Sequence, residues 1–225
     1  NRDTLYALGF IAALLILTDA AVDADHAPIP VLLAVAATHH HLIRQGLRTR
    51  AAILAETGEA REIMHFALLL GYGANAVCPA LAFATVREMA DGGLLAEPLA
   101  PEDAMDNYIT AVKKGLLKTL SRLGISTIRS YVGAQTFEAV GLGHDVAGRY
   151  FAQTPSRLGG AGLADLARDA IQRHLRGFPE RGAPDALLDC GGAYHLRAGG
   201  ERHLWSPEAI YKLQAAVRQG DYGLF

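Results

Sequence analysis

Apolar residues fall in blocks along this chain, and the spacing inside successive blocks switches between strand-like runs and the helical period. The run Leu5 to Leu17 (LYALGFIAALLIL) predicts a short helix around residues 4 to 11 feeding a buried strand, Leu14 to Thr18. Pro28 and Pro30 then open a helix in which Val31, Leu32, Val35, His39, Leu42 and Ile43 share a face and which ends near Gly46. A second strand is expected at Ala51 to Glu56. The stretch Glu59 to Leu70 (EAREIMHFALLL) reads as a helix, acidic near its start and closed by Gly71 and Gly73, before a third strand at Ala74 to Cys78. Pro79 stops that strand and starts another helix. After a loop carrying Gly92, Gly93, Pro98 and Pro101, a long amphipathic helix places Ile109, Val112, Leu116, Leu117, Leu120 and Leu123 on one face, with Lys113, Lys114, Lys118 and Arg122 on its wet side. Gly124 caps it. Ile125 to Ser130 (ISTIRS) is expected as a fourth strand and Ala134 to Val140 as a short helix.

Repeated strand and helix alternation requires crossover connections. The fold class is therefore α/β, built of mainly parallel β/α units, either doubly wound or an incomplete barrel. No strand alternates polar with apolar residues, as expected where both faces are covered. From Gly141 the texture changes: glycines at 143, 148, 159, 160 and 162 punctuate short helical pieces before a helix near Leu163 to Arg176, so the parallel repeat is expected to stop. Residues 177 to 206 read as a Gly/Pro-rich linker. Ser206-Pro207-Glu208 starts a final helix, with Ser206 as N-cap and Pro207 in the first helical position. A domain boundary is placed near residue 150, giving domains 1–150 and 151–225.

Composition narrows the function classes. The 225 residues are 51% hydrophobic, which is ample for a core and excludes disorder. With 21 basic and 23 acidic residues mixed along the chain, no electrostatic footprint for nucleic acid or an anionic membrane exists. Cys78 and Cys190 are far apart and outside any paired metal-ligand spacing, so reduced thiols and a cytoplasmic setting are expected. The run at 5 to 17, followed by the Ala-Val-Asp-Ala stretch 21 to 24, resembles a signal peptide with a small-residue cleavage site, but Asp3 sits beside Arg2, and the run is too short to span a bilayer. A chain opening on Asn1 reads as a piece of a longer one.

Ligands of parallel α/β folds sit at the carboxyl ends of the strands, which here carry Thr18 and Asp19, Glu56 and Thr57, Cys78, and Ser130 and Tyr131. Asp19 and Glu56 have the chemistry of an acid and base pair and Tyr131 that of a hydrogen-bond donor, but strand-end carboxylates more often cap helices or meet an Arg. The triplet His39-His40-His41 cannot converge on one metal, because consecutive helical residues point about 100° apart. Gly71-Tyr72-Gly73 precedes a strand, whereas a phosphate-cradling loop must follow one and open a helix. Gly133 alone is a weak phosphate signal. No catalytic residue, cofactor-binding residue or metal ligand is expected within the chain.

Several segments together resemble the large chain of glutamate synthase: LLILTD (14 to 19), PIPVLLAVAATHHHLIRQGLRTR (28 to 50), ETGEAREIMHFALLLGYGANAVCP (56 to 79), KKGLLKTLSRLGISTIRSYVGAQTFEAVGL (113 to 142) and TPSRLGG (154 to 160). The tail from 192 to 222 resembles the start of the flavin domain of the same family. Two departures stand out: Ala20 and Val132 occupy positions where Arg is usual in the family.

The resemblance implies the C-terminal part of a central domain, resembling the flavin barrel without its FMN, followed by a linker into the FMN domain. It implies an enzyme that makes two glutamates from glutamine, 2-oxoglutarate and two electrons. FMN and a 3Fe-4S iron-sulfur cluster are implied for the whole chain and lie downstream; the glutaminase cysteine lies upstream. Implied partners are the amidotransferase and FMN domains of the same polypeptide, and either ferredoxin or a small subunit binding FAD and NADPH. A plant or algal source would imply a plastid. The piece itself is expected to be a scaffold walling the path of ammonia, with Glu56, Thr57, Arg61, Tyr131 and Gln135 as interdomain or channel contacts. The alternative is a free-standing flavin-dependent β/α-barrel oxidoreductase.

Overall fold

The computed structural model describes residues 13–179 and 205–223. The helix expected at 4 to 11, Cys190 and most of the expected linker lie outside the described residues. The chain divides into two compact units, Asn1–Glu180 and Arg181–Phe225.

In the first unit, β1 (Ala13–Thr18), β2 (Ala51–Glu56) and β3 (Ala76–Cys78) form a parallel sheet in that order. Thr18 lies opposite Glu56, and Glu56 opposite Cys78, so the three carboxyl ends are level. The connections are helices: α1 (Val31–Arg44) between β1 and β2, and α2 (Ile63–Gly71) between β2 and β3. Then come α3 (Ala80–Asp91), the long α4 (Pro101–Arg122) and the single turn α5 (Ile128–Tyr131). A second parallel pair, β4 (Ala139–Leu142) with β5 (Ser156–Ala161), brackets α6 (His144–Tyr150), and α7 (Leu163–Gly177) follows.

The parallel α/β architecture inferred from periodicity is the one observed. The main core lies where α1 and α2 meet β2, with Val35, Ile53 and Ala55 fully buried and Phe66, Leu69 and Val112 packed around them. His39 points inward, as its place on the apolar stripe requires, and is 6% exposed. On β1, Leu15 and Leu17 pack on the core while Leu14 and Ile16 are 58% and 57% exposed. The expectation that every strand is covered on both faces therefore fails for β1. On α4 the expected face is narrower than its pattern: Val112 and Leu120 are buried, but Leu117 and Leu123 face out.

Three local expectations are corrected. Ile125 to Ser130 is not a strand, because Thr127 caps the turn α5: its Oγ1 accepts from Ser130 N at 3.3 Å. A β-branched run with a Thr and a Ser offers the backbone local hydrogen bonds that compete with a ladder. Ala134 to Val140 is not a helix, because Gln135 holds φ of 52° and ends helical progress, leaving Ala139–Leu142 free to pair with β5. The parallel repeat does not stop at Gly141; glycines at 159 and 160 masked β5, since strand interiors rarely carry them.

Helix ends follow the chemistry expected of them. Gly73, at φ of 111°, closes α2 with Gly73 N donating to Leu70 O and Ala74 N to Leu69 O. A side chain there would also collide with the His39 ring, so glycine is required twice over. Pro30, before α1, has no side-chain acceptor; Glu59, 28 residues beyond Val31, supplies one by accepting from Val31 N at 3.3 Å. In the second unit, α8 (Pro207–Gln219) begins as read, with Ser206 Oγ accepting from Ala209 N at 3.1 Å.

Candidate functional site

The level carboxyl ends of β1, β2 and β3 form one face of the first unit. Thr57, fully buried, is its hub: its N donates to Cys78 O at 2.9 Å, its hydroxyl donates to Asp19 Oδ2 at 2.6 Å, and the same oxygen accepts from Glu59 N at 3.0 Å. Asp19 also accepts from Gly58 N at 3.0 and 3.1 Å. Its carboxylate thus ties the β2–α2 loop to the end of β1. That geometry is of a capping carboxylate rather than of an exposed general base. Thr57→Val should remove both side-chain bonds at once and destabilise by about 1–3 kcal/mol, read by urea denaturation; an unchanged midpoint would refute the hub role.

Above this clasp lies a cleft of about 670 Å³, roofed by α7. Glu59 borders it, and burial pushes its carboxyl above the usual carboxylate range. Arg61 and His65 stand at the start of α2; His65 Nδ1 accepts from Arg61 N at 3.1 Å and Glu62 N at 3.2 Å. From α7, Arg173 pairs with Asp169 at 3.0 Å, and His174 Nε2 bonds Asp23 O at 2.6 Å. Sequence reasoning missed Glu59, His65, Arg173 and His174 as neighbours. The one available signal was that Glu59 falls just after a strand and His65 in the first turn of the helix that follows it.

The five residues expected as contacts do not form one cluster. Glu56, Thr57 and Arg61 stand at the carboxyl end of the sheet, half-buried, buried and exposed respectively. Tyr131 and Gln135 lie at the opposite end, against the last turn of α2: Tyr131 OH donates to Ala67 O at 2.9 Å and Gln135 N to Gly71 O at 3.1 Å. Tyr131 does not end a strand, because residues 125 to 130 do not form one. Its hydroxyl, like that of Thr57, is spent internally. Gln135 Nε2 lies 3.1 Å from His40 Nε2, while its Oε1 is buried without a partner.

At that same end Arg48 threads the molecule together. Its Nε donates to His39 Nδ1 at 2.8 Å, Nη1 to Ala51 O at 2.7 Å, and Nη2 to Gly73 O at 2.8 Å and Asn75 Oδ1 at 3.1 Å. Burial first, then the charges of Arg48 and His40, push His39 down to about 4. Burial and Arg44 lower His40 as well. The rings of His39 and His40 meet edge to face at 5.2 Å, while His41 is exposed, so the triplet diverges as helix geometry demands.

The glycines that a phosphate group would use are already occupied. The space beside Gly73 is filled by the His39 ring, and a side chain at Gly133 would meet the same ring at 3.2 Å. Among the described residues no cluster of His, Cys, Asp and Glu could hold a metal ion, and no helix is long and apolar enough to cross a membrane. These residues do not fit FMN or an iron-sulfur cluster.

Fold and site together define a parallel β/α domain in which the strand-end groups Asp19 and Thr57 are tied up in holding loops. A family model described as the glutamate synthase central domain matches residues 7–143. The chain belongs to the glutamate synthase family. It is 46% identical over 95% of its length to the glutamate synthase [NADPH] large chain of Bacillus subtilis (strain 168), covering 14% of that protein. It is 43% identical over 91% of its length to the glutamate synthase [NADH] of Saccharomyces cerevisiae, covering 10% of it. To the ferredoxin-dependent glutamate synthase of Pyropia yezoensis it is 42% identical over 91%, covering 14%. The chain therefore spans only a small part of the relatives it matches.

Proposed function

We propose that this chain is a connecting part of a glutamate synthase large chain, an oxidoreductase making two glutamates from glutamine, 2-oxoglutarate and two electrons. The observation that carries the architectural reading is the apolar surface left open on its sheets. Leu14 and Ile16 on β1 and Val140 and Leu158 on β4 and β5 are each more than half exposed. Surface of this kind marks contact with other protein, here the amidotransferase and FMN domains of the same polypeptide. FMN, the iron-sulfur cluster and the glutaminase nucleophile belong to those neighbours. We place the end of the central domain near residue 150, which the family match ending at 143 supports, with 151–225 leading into the FMN domain. Relatives named for NADPH, NADH and ferredoxin match this piece almost equally, so the electron donor is selected elsewhere, whether ferredoxin or an FAD-bearing small subunit.

The piece also walls the ammonia path in this reading. Of the five contact residues, Glu56 and Arg61 keep polar groups uncommitted to this unit and open to its surface, and these orient the neighbouring domains, whereas the unpartnered Oε1 of Gln135 is buried. Alanine at Glu56 or at Arg61 in the full polypeptide should lower glutamate formed per glutamine hydrolysed while leaving turnover with added ammonia intact. Unchanged coupling in both variants would sink the channel-wall role.

A further inference from the structure

The roofed cleft at the carboxyl end of the sheet has the size of a small-molecule pocket, about 670 Å³. Its walls are largely apolar, with Leu32, Leu68, Leu81 and Phe178 contributing. Only a few of the polar groups bordering it lack a hydrogen-bonded partner. Arg173 holds Asp169 in an exposed pair on α7 while its charge also reaches Glu59, and His174 Nε2 is committed to Asp23 O. Arg61 is exposed, and neither an ion pair nor a side-chain hydrogen bond engages its guanidinium among the described residues. Because His65 Nδ1 accepts two backbone N–H groups, its ring proton resides on Nε2, which leaves one donor. Glu59 uses Oε2 for Val31 N and keeps Oε1.

The charged groups bordering the cleft that have no ion-pair partner in contact are therefore one cation, Arg61, and one partly buried carboxyl, Glu59, which feels Arg173 and His65 only at a distance; the two are separated by a single residue and not paired with each other. A dianion would leave Glu59 facing like charge. A simple amine would leave Arg61 unmatched. A molecule carrying both a carboxylate and an ammonium on one carbon satisfies both, and the apolar walls accept a hydrocarbon side chain. We propose that this cleft binds a small α-amino acid with an apolar side chain, its carboxylate on Arg61 and His65 Nε2–H and its ammonium on Glu59. The upward shift of the Glu59 carboxyl by burial agrees, since a bound ammonium would offset the cost of keeping it ionised.

The test is equilibrium dialysis of radiolabelled L-leucine against the full polypeptide, with 4-methylpentanoate (no amine) and 3-methylbutylamine (no carboxylate) as competitors. Saturable leucine binding is expected, with each half-molecule competing at least about tenfold more weakly. Arg61→Leu and Glu59→Gln should each weaken leucine by about ten- to a hundredfold, as loss of one hydrogen bond to a charged group does. Glutamine at 59 retains an acceptor for Val31 N, so its thermal midpoint should stay at the parent value. No saturable binding, equal competition by either half-molecule, or undiminished affinity in either variant would overturn the proposal. Arg61 also appears in the channel-wall reading, but leucine binding is measured without turnover and coupling without leucine, so each can fail alone.

Discussion

Tyr131→Ala should destabilise the first unit by about 3–5 kcal/mol, the largest effect expected of any single substitution here. Its ring is fully buried among Ala67, Leu70 and Leu120, so truncation opens a cavity between α2, α4 and α5 rather than a surface notch. Tyr131→Phe keeps the ring and removes only the bond to Ala67 O, so about 1 kcal/mol should go. The contrast separates packing from polarity. Chemical denaturation of both variants reads it; if alanine cost no more than phenylalanine, the hydroxyl and not the ring would be the anchor.

The second large effect is a loss of stability in mild acid. His39 is neutral in the folded chain, held down to about 4 by burial beside Arg48, against an ordinary value of 6.5. Between those values the unfolded chain binds a proton that the folded one refuses. Stability is then complete above pH 6.5, falls as pH drops through the window, and levels off below about 4. The full difference is about 3 kcal/mol. His40, shifted the same way, adds to the slope. Protonation would also set an imidazolium against the Arg48 guanidinium that now donates to it at 2.8 Å. His39→Gln keeps an acceptor for Arg48 without the titration, so its stability should vary less between pH 6.5 and 4. An equally steep profile in that variant would show that the proton binds elsewhere.

Much of the chain was legible because its information is local. Periodicity located α1, β1, β2 and α4 closely, and Gly46, Gly73 and Gly124 ended helices where their left-handed backbone is required. The errors cluster where local preference is balanced. Residues 125 to 142 mix β-branched, hydroxylated and glycine residues, and only pairing of β4 with β5 and the Thr127 cap decide among strand, turn and helix.

The candidate site was legible only in part, for a related reason. That Asp19, Glu56 and Thr57 end strands follows from their place after apolar runs, and equal strand register brings them level. Nothing in the spacing says that Asp19 would be consumed by Thr57 and Gly58, or that α7 would roof the cleft with Arg173 and His174, more than a hundred residues from Glu59.

By itself, then, the sequence determined the class of fold, the inward turn of His39 and the family resemblance, because each depends on short spacings or on ordered segments. Tertiary structure alone decided that Tyr131 and Gln135 stand at the far end of the sheet from Glu56 and Arg61. It also decided that Glu59 caps a helix 28 residues away while bordering a cleft, and that Arg48 joins four acceptors from α1, β2 and the α2–β3 turn. Such contacts arise from packing between distant segments, and no local pattern encodes them.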